Sequence, residues 1–329
     1  MTTINDIAKM ADVSRTTVSR VLNNSGYASE DVRKRILRIV EETGYVPSVS
    51  AKSLRTKKSG VIGVILPKIS TETASRVVGG INEVLSRENF QILLTDTELD
   101  KEKEIEYVRL LKSRQVDGII LLSTNVNDRL IQAISETNLP FISLGQELPG
   151  FPSVVYDDYN AAVDMTNMII QKGYQRIAFI GVGEDDPAVG GLRKQAYVDA
   201  LEENGFSVDE RLMAVGDFSI ESGYEGMKAI LKECGRDVPD AVFVVTDRMA
   251  IGAMEYLKEQ GYSIPEDIAV AGIGASALSK YVTPSLTTVE YHNKEAGRKA
   301  AGSLLAQMKN QQIEDKIVQN YRLIRRDSV

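Results

Sequence analysis

Apolar positions in the first sixty residues recur at helical spacing, whereas later ones gather into short unbroken runs separated by longer amphipathic stretches. Thr3 is placed to cap a helix, with Asp6 in its first turn and Ile4, Ile7, Ala8 and Ala11 on one face. Asp12 and Val13 break the pattern. Ser14 then caps a second helix, Arg15 to about Asn23, whose Val18, Val21 and Leu22 face inward. The cluster Asn23-Asn24-Ser25-Gly26 is a turn. Ser29 opens a third helix, with Glu30 and Asp31 in its first turn; Val32, Ile36, Ile39 and Val40 form its buried stripe, and Gly44 ends it. Two short helices with a tight turn between them, followed by a third, predict a helix-turn-helix module.

From Val61 the rhythm changes. Apolar runs at 61–66, 91–95, 118–122, 141–144, 176–181, 241–246 and 268–272 read as buried parallel strands. Amphipathic stretches at 75–87, 102–114, 161–171, 193–204, 222–233 and 249–260 read as the helices between them. Strand-helix alternation of this kind predicts a doubly wound α/β architecture, and its extent exceeds one ordinary lobe.

Charge sharpens the division. The net charge of −7 combines a head with eleven basic against six acidic residues through position 59 and a body with 28 against 40. A basic head on an acidic body suggests that the head meets a polyanion. Away from its apolar face the second helix carries Arg15, Thr16, Thr17, Ser19, Arg20 and Asn23. Arginine can bond guanine O6 and N7 together, and threonine can meet a thymine methyl or a phosphate.

Other chemistry is thin. Cys234 is the only cysteine and His292 the only histidine, which argues against a disulfide, a zinc site or a Ser-His-Asp hydrolase. Gly181-Val182-Gly183 follows a strand, but Asp186 stands where a dinucleotide fingerprint needs glycine. The expectation is a protein that is not an enzyme and holds no cofactor. No basic stretch followed by an apolar run opens the chain, and no apolar run reaches membrane-spanning length, so a cytoplasmic location with no membrane partner is expected.

The basic segment 47–60 completes a family likeness. Val13-Ser14-Arg15-Thr16-Thr17-Val18-Ser19-Arg20-Val21-Leu22-Asn23, Gly44-Tyr45-Val46-Pro47 and Ala51-Lys52-Ser53-Leu54-Arg55 resemble the LacI/GalR family of bacterial repressors, and the likeness runs over the whole chain. It implies a DNA-binding head at 1–46, a hinge helix at 47–59 and an effector-binding and dimerisation domain at 60–329. That domain would have two lobes of periplasmic-binding-protein type: about 60–159 with 290–318, and about 160–289 with 319–329. Arg15 and Thr16 would read sequence, and Arg20 would make a constant base contact. Ser14, Thr17, Asn23 and Tyr45 would hold phosphates. Leu54, flanked by Ala51 and Lys52, would wedge into the minor groove beside its dimer mate. A homodimer on a pseudo-palindromic operator follows. No leucine-heptad segment follows Val329, so a dimer is expected rather than a tetramer.

The likeness also implies an effector cleft. Arg193, in Gly191-Leu192-Arg193-Lys194, matches the family's effector-binding arginine, and Thr246-Asp247 match a pair that usually reads Asn-Asp. Phe218 would stack on the ligand, and Gln146, Ser70, Thr73 and Ala275 would line the cleft. Gly274 and Ala275 stand where the family usually shows an acid pair, and Thr73-Ala74 where it often shows aromatics. A roomier, less acidic cleft is therefore expected, suited to a disaccharide or to a sugar phosphate paired with Arg193. The resemblance implies a repressor of a carbohydrate-utilisation operon controlled by a small sugar. A global catabolite-type regulator with a phosphoprotein co-repressor, or a nucleobase- or nucleoside-responsive repressor, are the alternatives.

Overall fold

The computed structural model describes residues 2–22, 24–45 and 58–329, in a chain that divides into two compact units, 1–60 and 61–329. In the first unit, α1 (Ile4–Met10) opens on a reciprocal cap: Thr3 Oγ1 accepts from the Asp6 N–H, and the Asp6 carboxylate accepts from the Thr3 N–H at 2.8 Å. α2 (Arg15–Leu22) opens on Ser14, whose Oγ accepts from the Thr17 N–H at 3.1 Å. α3 (Glu30–Thr43) ends at Gly44, whose φ of 60° favours a residue without Cβ. Ser29 precedes α3 as expected but makes no side-chain cap; Glu30 and Asp31 leave the negative charge at the helix start. Ile7, Ala11, Val18, Val21, Ile36 and Ile39 are buried together, with Leu22, Val32 and Val40 partly covered around them.

The second unit contains two six-stranded sheets. The first has the order β11-β5-β4-β3-β1-β2 and is parallel throughout: β1 (Val61–Leu66), β2 (Gln91–Asp96), β3 (Gly118–Leu122), β4 (Phe141–Gly145), β5 (Ser153–Tyr156) and β11 (Lys316–Gln319). The second has the order β12-β10-β9-β8-β6-β7: β6 (Ile177–Val182), β7 (Met213–Gly216), β8 (Ala241–Val244), β9 (Ala269–Ile273), β10 (Thr287–Tyr291) and β12 (Tyr321–Ile324). Only β12 runs antiparallel there, against β10. Helices α4 (Glu72–Arg87), α5 (Lys101–Ser113), α6 (Asp128–Thr137) and α11 (Asn293–Met308) go with the first sheet; α7 (Asp158–Gln171), α8 (Arg193–Glu203), α9 (Ile220–Cys234) and α10 (Asp247–Glu259) go with the second. A π-helical turn, Pro187–Leu192, leads into α8.

The seven expected strands and six expected helices of this unit are present, with ends that coincide or differ by at most three residues. Five strands, β5, β7, β10, β11 and β12, and two helices, α6 and α11, were not expected. β7, β11 and β12 are four-residue pieces with half-exposed faces, too short for a periodic signal. α11 buries mainly small residues, Ala296, Gly297, Ala300 and Ala301, rather than a stripe of large ones. The chain passes between sheets at Asp157, His292 and Asn320, within three residues of the expected divisions.

Glycine seams bind the helices of each lobe. A Cβ on Gly80 of α4 would collide with the Lys294 carbonyl of α11, and one on Gly297 with the Val77 carbonyl. The second lobe repeats the device: Gly223 of α9 faces the Met249 carbonyl of α10, and Gly252 faces that of Ile220. Backbone meets backbone at both seams, so neither helix pair can accept a side chain without separating. Replacing Gly80 by Leu is expected to lower unfolding free energy by roughly 3 kcal/mol, from overpacking; denaturant unfolding of the variant checks this.

Candidate functional site

On the first unit, α2 presents Arg15, Thr16 and Arg20 exposed beside Ser14, with Thr17 and Ser19 partly covered. Tyr45 packs against the small core and is half-buried. Gly26, at φ 78°, lies under Arg20: an added Cβ would sit 3.3 Å from the Arg20 Cδ. The turn thus supports the stem of the arginine that the sequence singles out. Asn23, Ala51, Lys52 and Leu54 lie outside the described residues.

On the second unit, a cavity of about 240 Å³ lies between the two sheets at the carboxyl ends of their strands, a place where α/β folds bind small molecules. Its lining includes Thr73, Gln146, Arg193, Phe218, Thr246 and Asp247 of the expected residues. Ser70 is exposed outside the lining, beyond the end of β1. Ala275 is buried outside it as well; its φ of 45° turns its carbonyl toward the other lobe, where Arg76 Nη2 donates to it at 3.0 Å.

The floor of the cavity is a hub at two of the crossings. Tyr156 ends β5 and Asp158 begins α7; Tyr291 ends β10 and Asn293 begins α11. The two tyrosine rings meet with centroids 4.8 Å apart. Arg193 is almost fully buried among them. Its Nε donates to Asp158 Oδ1 at 2.8 Å, its Nη2 lies 2.6 Å from the same oxygen, and its Nη1 donates to the Val245 carbonyl. The guanidinium lies 5.5 Å from the Tyr291 ring centre, and Tyr291 Oη donates to Asp158 Oδ1 at 2.9 Å. Burial works against the arginine's charge, and Asp158 outweighs it, so its pKa rises. Three of the five guanidinium N–H groups are thus used within the protein.

The cleft is also not short of acid. Glu72, Asp158, Asp186 and Asp247 line it. Gly274 replaces one expected acid, and the space it leaves faces the carboxylate of Asp247. Thr288 Oγ1 and the Ser276 N–H donate to the two Asp247 oxygens. Gln146 Nε2 donates to Asp186 Oδ1 at 2.7 Å from the opposite lobe, and the Val189 N–H donates to the same oxygen at 3.0 Å. Further contacts tie the lobes at the rim: Lys101 to Asp185 at 2.5 Å, and the Ala277 N–H to Glu72 at 2.7 Å. Burial pushes Asp186 and Asp247 above the usual carboxylate range.

Glu104, on α5, is a further buried carboxyl. Thr124 Oγ1 donates to it at 3.0 Å, and Asn125 donates to its second oxygen. Burial pushes it from its ordinary 4.5 up to about 7, with Asp186 of the other lobe adding repulsion. None of Tyr156, Asp158, Asp186 and Asn293 was singled out from sequence as a site residue. A signal existed for three of them: Tyr156-Asp157-Asp158 and Tyr291-His292-Asn293 are two matching strand-to-helix passages. Among the described residues no group of three metal-ligating side chains occurs, and no helix is long and apolar enough to cross a membrane.

Residues 3–48 match the family model described as bacterial regulatory proteins, lacI family, and residues 166–329 match the periplasmic binding protein-like domain. The chain is 33% identical to the HTH-type transcriptional regulator RegA of Clostridium saccharobutylicum, covering 99% of both. It is 31% identical to catabolite control protein A of Priestia megaterium, covering 96% of both. Among solved structures it resembles the transcriptional regulator CelR in complex with cellobiose, at 29% identity and TM-score 0.76 over the full length of both chains. The operator-bound Lac repressor dimer shares the fold, at TM-score 0.91 over 99% of this chain and 98% of that one, with 24% identity.

Two outcomes follow for the hub and its neighbour. Asp158→Asn leaves the Arg193 charge buried without its counter-ion and is expected to cost about 3 kcal/mol of stability; denaturant titration measures it. Glu104 keeps its proton in the folded chain at pH values where the unfolded chain has released it. Its contribution is therefore fully present below about pH 4.5 and lost as pH rises through 7, a swing of roughly 3 kcal/mol. Unfolding free energies at pH 5 and pH 8 should differ by less in Glu104→Gln than in the parent chain.

Proposed function

The chain belongs to the lacI family of bacterial regulatory proteins, and on that premise we propose that it represses a carbohydrate-utilisation operon and is controlled by a small sugar-type ligand held between its two lobes. The observation that carries this reading is the cavity between two sheets, largely apolar with a few polar side chains on its wall, in a chain whose head exposes Arg15, Thr16 and Arg20 on one helix. Gln146, Thr246, Asp186 and Asn293 offer the mixed donors and acceptors that hydroxyl groups need, and Phe218 offers an apolar face. The protein would act by binding rather than by catalysis, as a homodimer in the cytoplasm, where its DNA lies.

The mechanism is a coupling of two equilibria. Arg15 and Thr16 read base edges in the major groove, Arg20 makes a base contact, and Ser14, Thr17, Asn23 and Tyr45 hold phosphates. Ala51, Lys52 and Leu54 act in the minor groove, with Leu54 as the wedge. The ligand favours one relative placement of the lobes, and operator favours another. Each therefore weakens the other by the same factor. A nucleobase sandwich is disfavoured, because Thr73-Ala74 stand where the family often shows aromatics.

Fluorescence anisotropy on DNA from the chain's own upstream region, at fixed moderate salt, tests the reading. Tight binding that one sugar among neutral, phosphorylated and disaccharide candidates releases is the expected result. Tight binding indifferent to every sugar would favour the phosphoprotein co-repressor reading. Arg20→Ala should weaken operator binding about tenfold or more, the value of a bidentate base contact, and relax base preference at one position. Leu54→Ala should lower operator affinity and leave ligand affinity intact; unchanged operator affinity would remove the wedge.

A further inference from the structure

We propose that Glu72 and Arg76 of α4 form a latch that holds the two lobes together at one edge of the cavity before any ligand arrives, and that its release governs access to the cavity from that edge. The other half of the latch is the turn 274–277 of the second lobe. Three N–H groups of this turn are used within its own lobe. Gly274 donates to the Val289 carbonyl at 2.8 Å, Ala275 to Thr288 Oγ1 at 3.2 Å and Ser276 to Asp247 Oδ2 at 2.7 Å. With φ at 139° for Gly274 and 45° for Ala275, three other backbone groups of the turn meet α4 instead. Arg76 Nη1 lies 3.5 Å from the Gly274 carbonyl, Arg76 Nη2 donates to the Ala275 carbonyl at 3.0 Å, and Glu72 Oε2 accepts from the Ala277 N–H at 2.7 Å. Glu72, Gly274 and Ser276 line the cavity, whereas Ala277 is exposed, so the latch stands between the cavity and solvent.

An ion pair one turn apart on a helix surface contributes little by itself. Here Arg76 Nη2 donates to Glu72 Oε1, so each side chain holds the other in place, and each has a further partner on the opposite lobe. Ordering this one pair therefore serves several bonds across the cleft. Those bonds are charge-assisted, because an ionised side chain meets a backbone group in each. No ligand atom takes part in them, and Arg76 lies outside the cavity lining, which makes it a positioning residue. The contacts of Gln146 with Asp186 and of Lys101 with Asp185 join side chain to side chain. The latch instead grips the backbone of a turn that carries Gly274 and Ser276 of the cavity wall, so parting the lobes here moves the wall itself. This inference goes beyond the sugar reading and does not depend on which ligand the cavity takes.

Hydrogen exchange of the full, ligand-free chain, resolved to single amides by mass spectrometry, tests the latch. The Ala277 amide should exchange about tenfold or more slowly than an unprotected amide, the scale of a charge-assisted hydrogen bond. Arg76→Gln should remove most of that protection while the Ser276 amide, bonded within its own lobe, keeps its own. Arg76→Lys, which leaves a cation beside Glu72, should restore part of it. Access is read at Ser123, an almost fully buried residue of the cavity wall. In a Ser123→Cys chain, the rate at which methyl methanethiosulfonate modifies the new thiol, corrected for Cys234 with the parent chain, should rise about tenfold when Arg76→Gln is added. An Ala277 amide that exchanges as an unprotected one in the parent chain would overturn the latch. A modification rate indifferent to Arg76→Gln would overturn its control of access. Should Arg76→Gln fail to fold, Glu72→Ala carries the same two comparisons, and the Ala277 amide of the unaltered chain still decides whether the latch exists.

Discussion

The buried ion pair between Arg193 and Asp158 is the constraint around which the second unit is organised. Asp158 begins α7 immediately after the chain leaves the first sheet, and Arg193 begins α8 of the second lobe. Their bond therefore fixes the passage between lobes to the body of one lobe. Tyr291 adds the second passage, donating to the same oxygen of Asp158 and lying against the guanidinium. A charge pair this deeply buried adds little net stability compared with apolar packing, but each member is costly to remove alone. What it supplies is a fixed geometry where two of the three crossings converge.

Other residues form the cavity wall above that hub. Thr73, Gln146, Phe218, Thr246, Lys68 and Arg248 reach the cavity from strand ends and helix starts. The lobes already touch through Gln146 and Asp186, Lys101 and Asp185, and Glu72 and Ala277. An occupant that bridges the lobes shifts their placement only by the difference in its affinity for the two arrangements. Cross-lobe contacts at the rim hold the arrangement described here, and the hub ties two of the three crossings together.

Much of the architecture was legible because long apolar runs and amphipathic helices carry strong periodic signals. The head was clearest: Thr3, Ser14 and Gly44 mark ends that match the backbone, and only Ser29 lacks the side-chain bond its position suggested. Short edge strands and the small-residue helix α11 were not legible, since neither shows a stripe of large apolar residues. In the cavity, the positions of Arg193 and Asp247 could be anticipated, but not their commitments. Sequence does not display that Asp158, 35 positions away, neutralises Arg193, nor that the turn at Gly274 and Ala275 offers backbone carbonyls to Arg76 instead of side-chain acid. Asp186 read only as an interruption of a glycine fingerprint, because its partner Gln146 comes from the other lobe.

The glycine seams limit substitution. Where α4 meets α11 and α9 meets α10, the backbones touch, so a side chain at Gly80, Gly297, Gly223 or Gly252 would force each helix pair apart. Lys68, Arg248 and Thr73 lie in loops and first turns outside those seams, where substitution alters chemistry without disturbing the frame. Substitutions at that wall would change what the cavity accepts while the helix pairs keep their spacing.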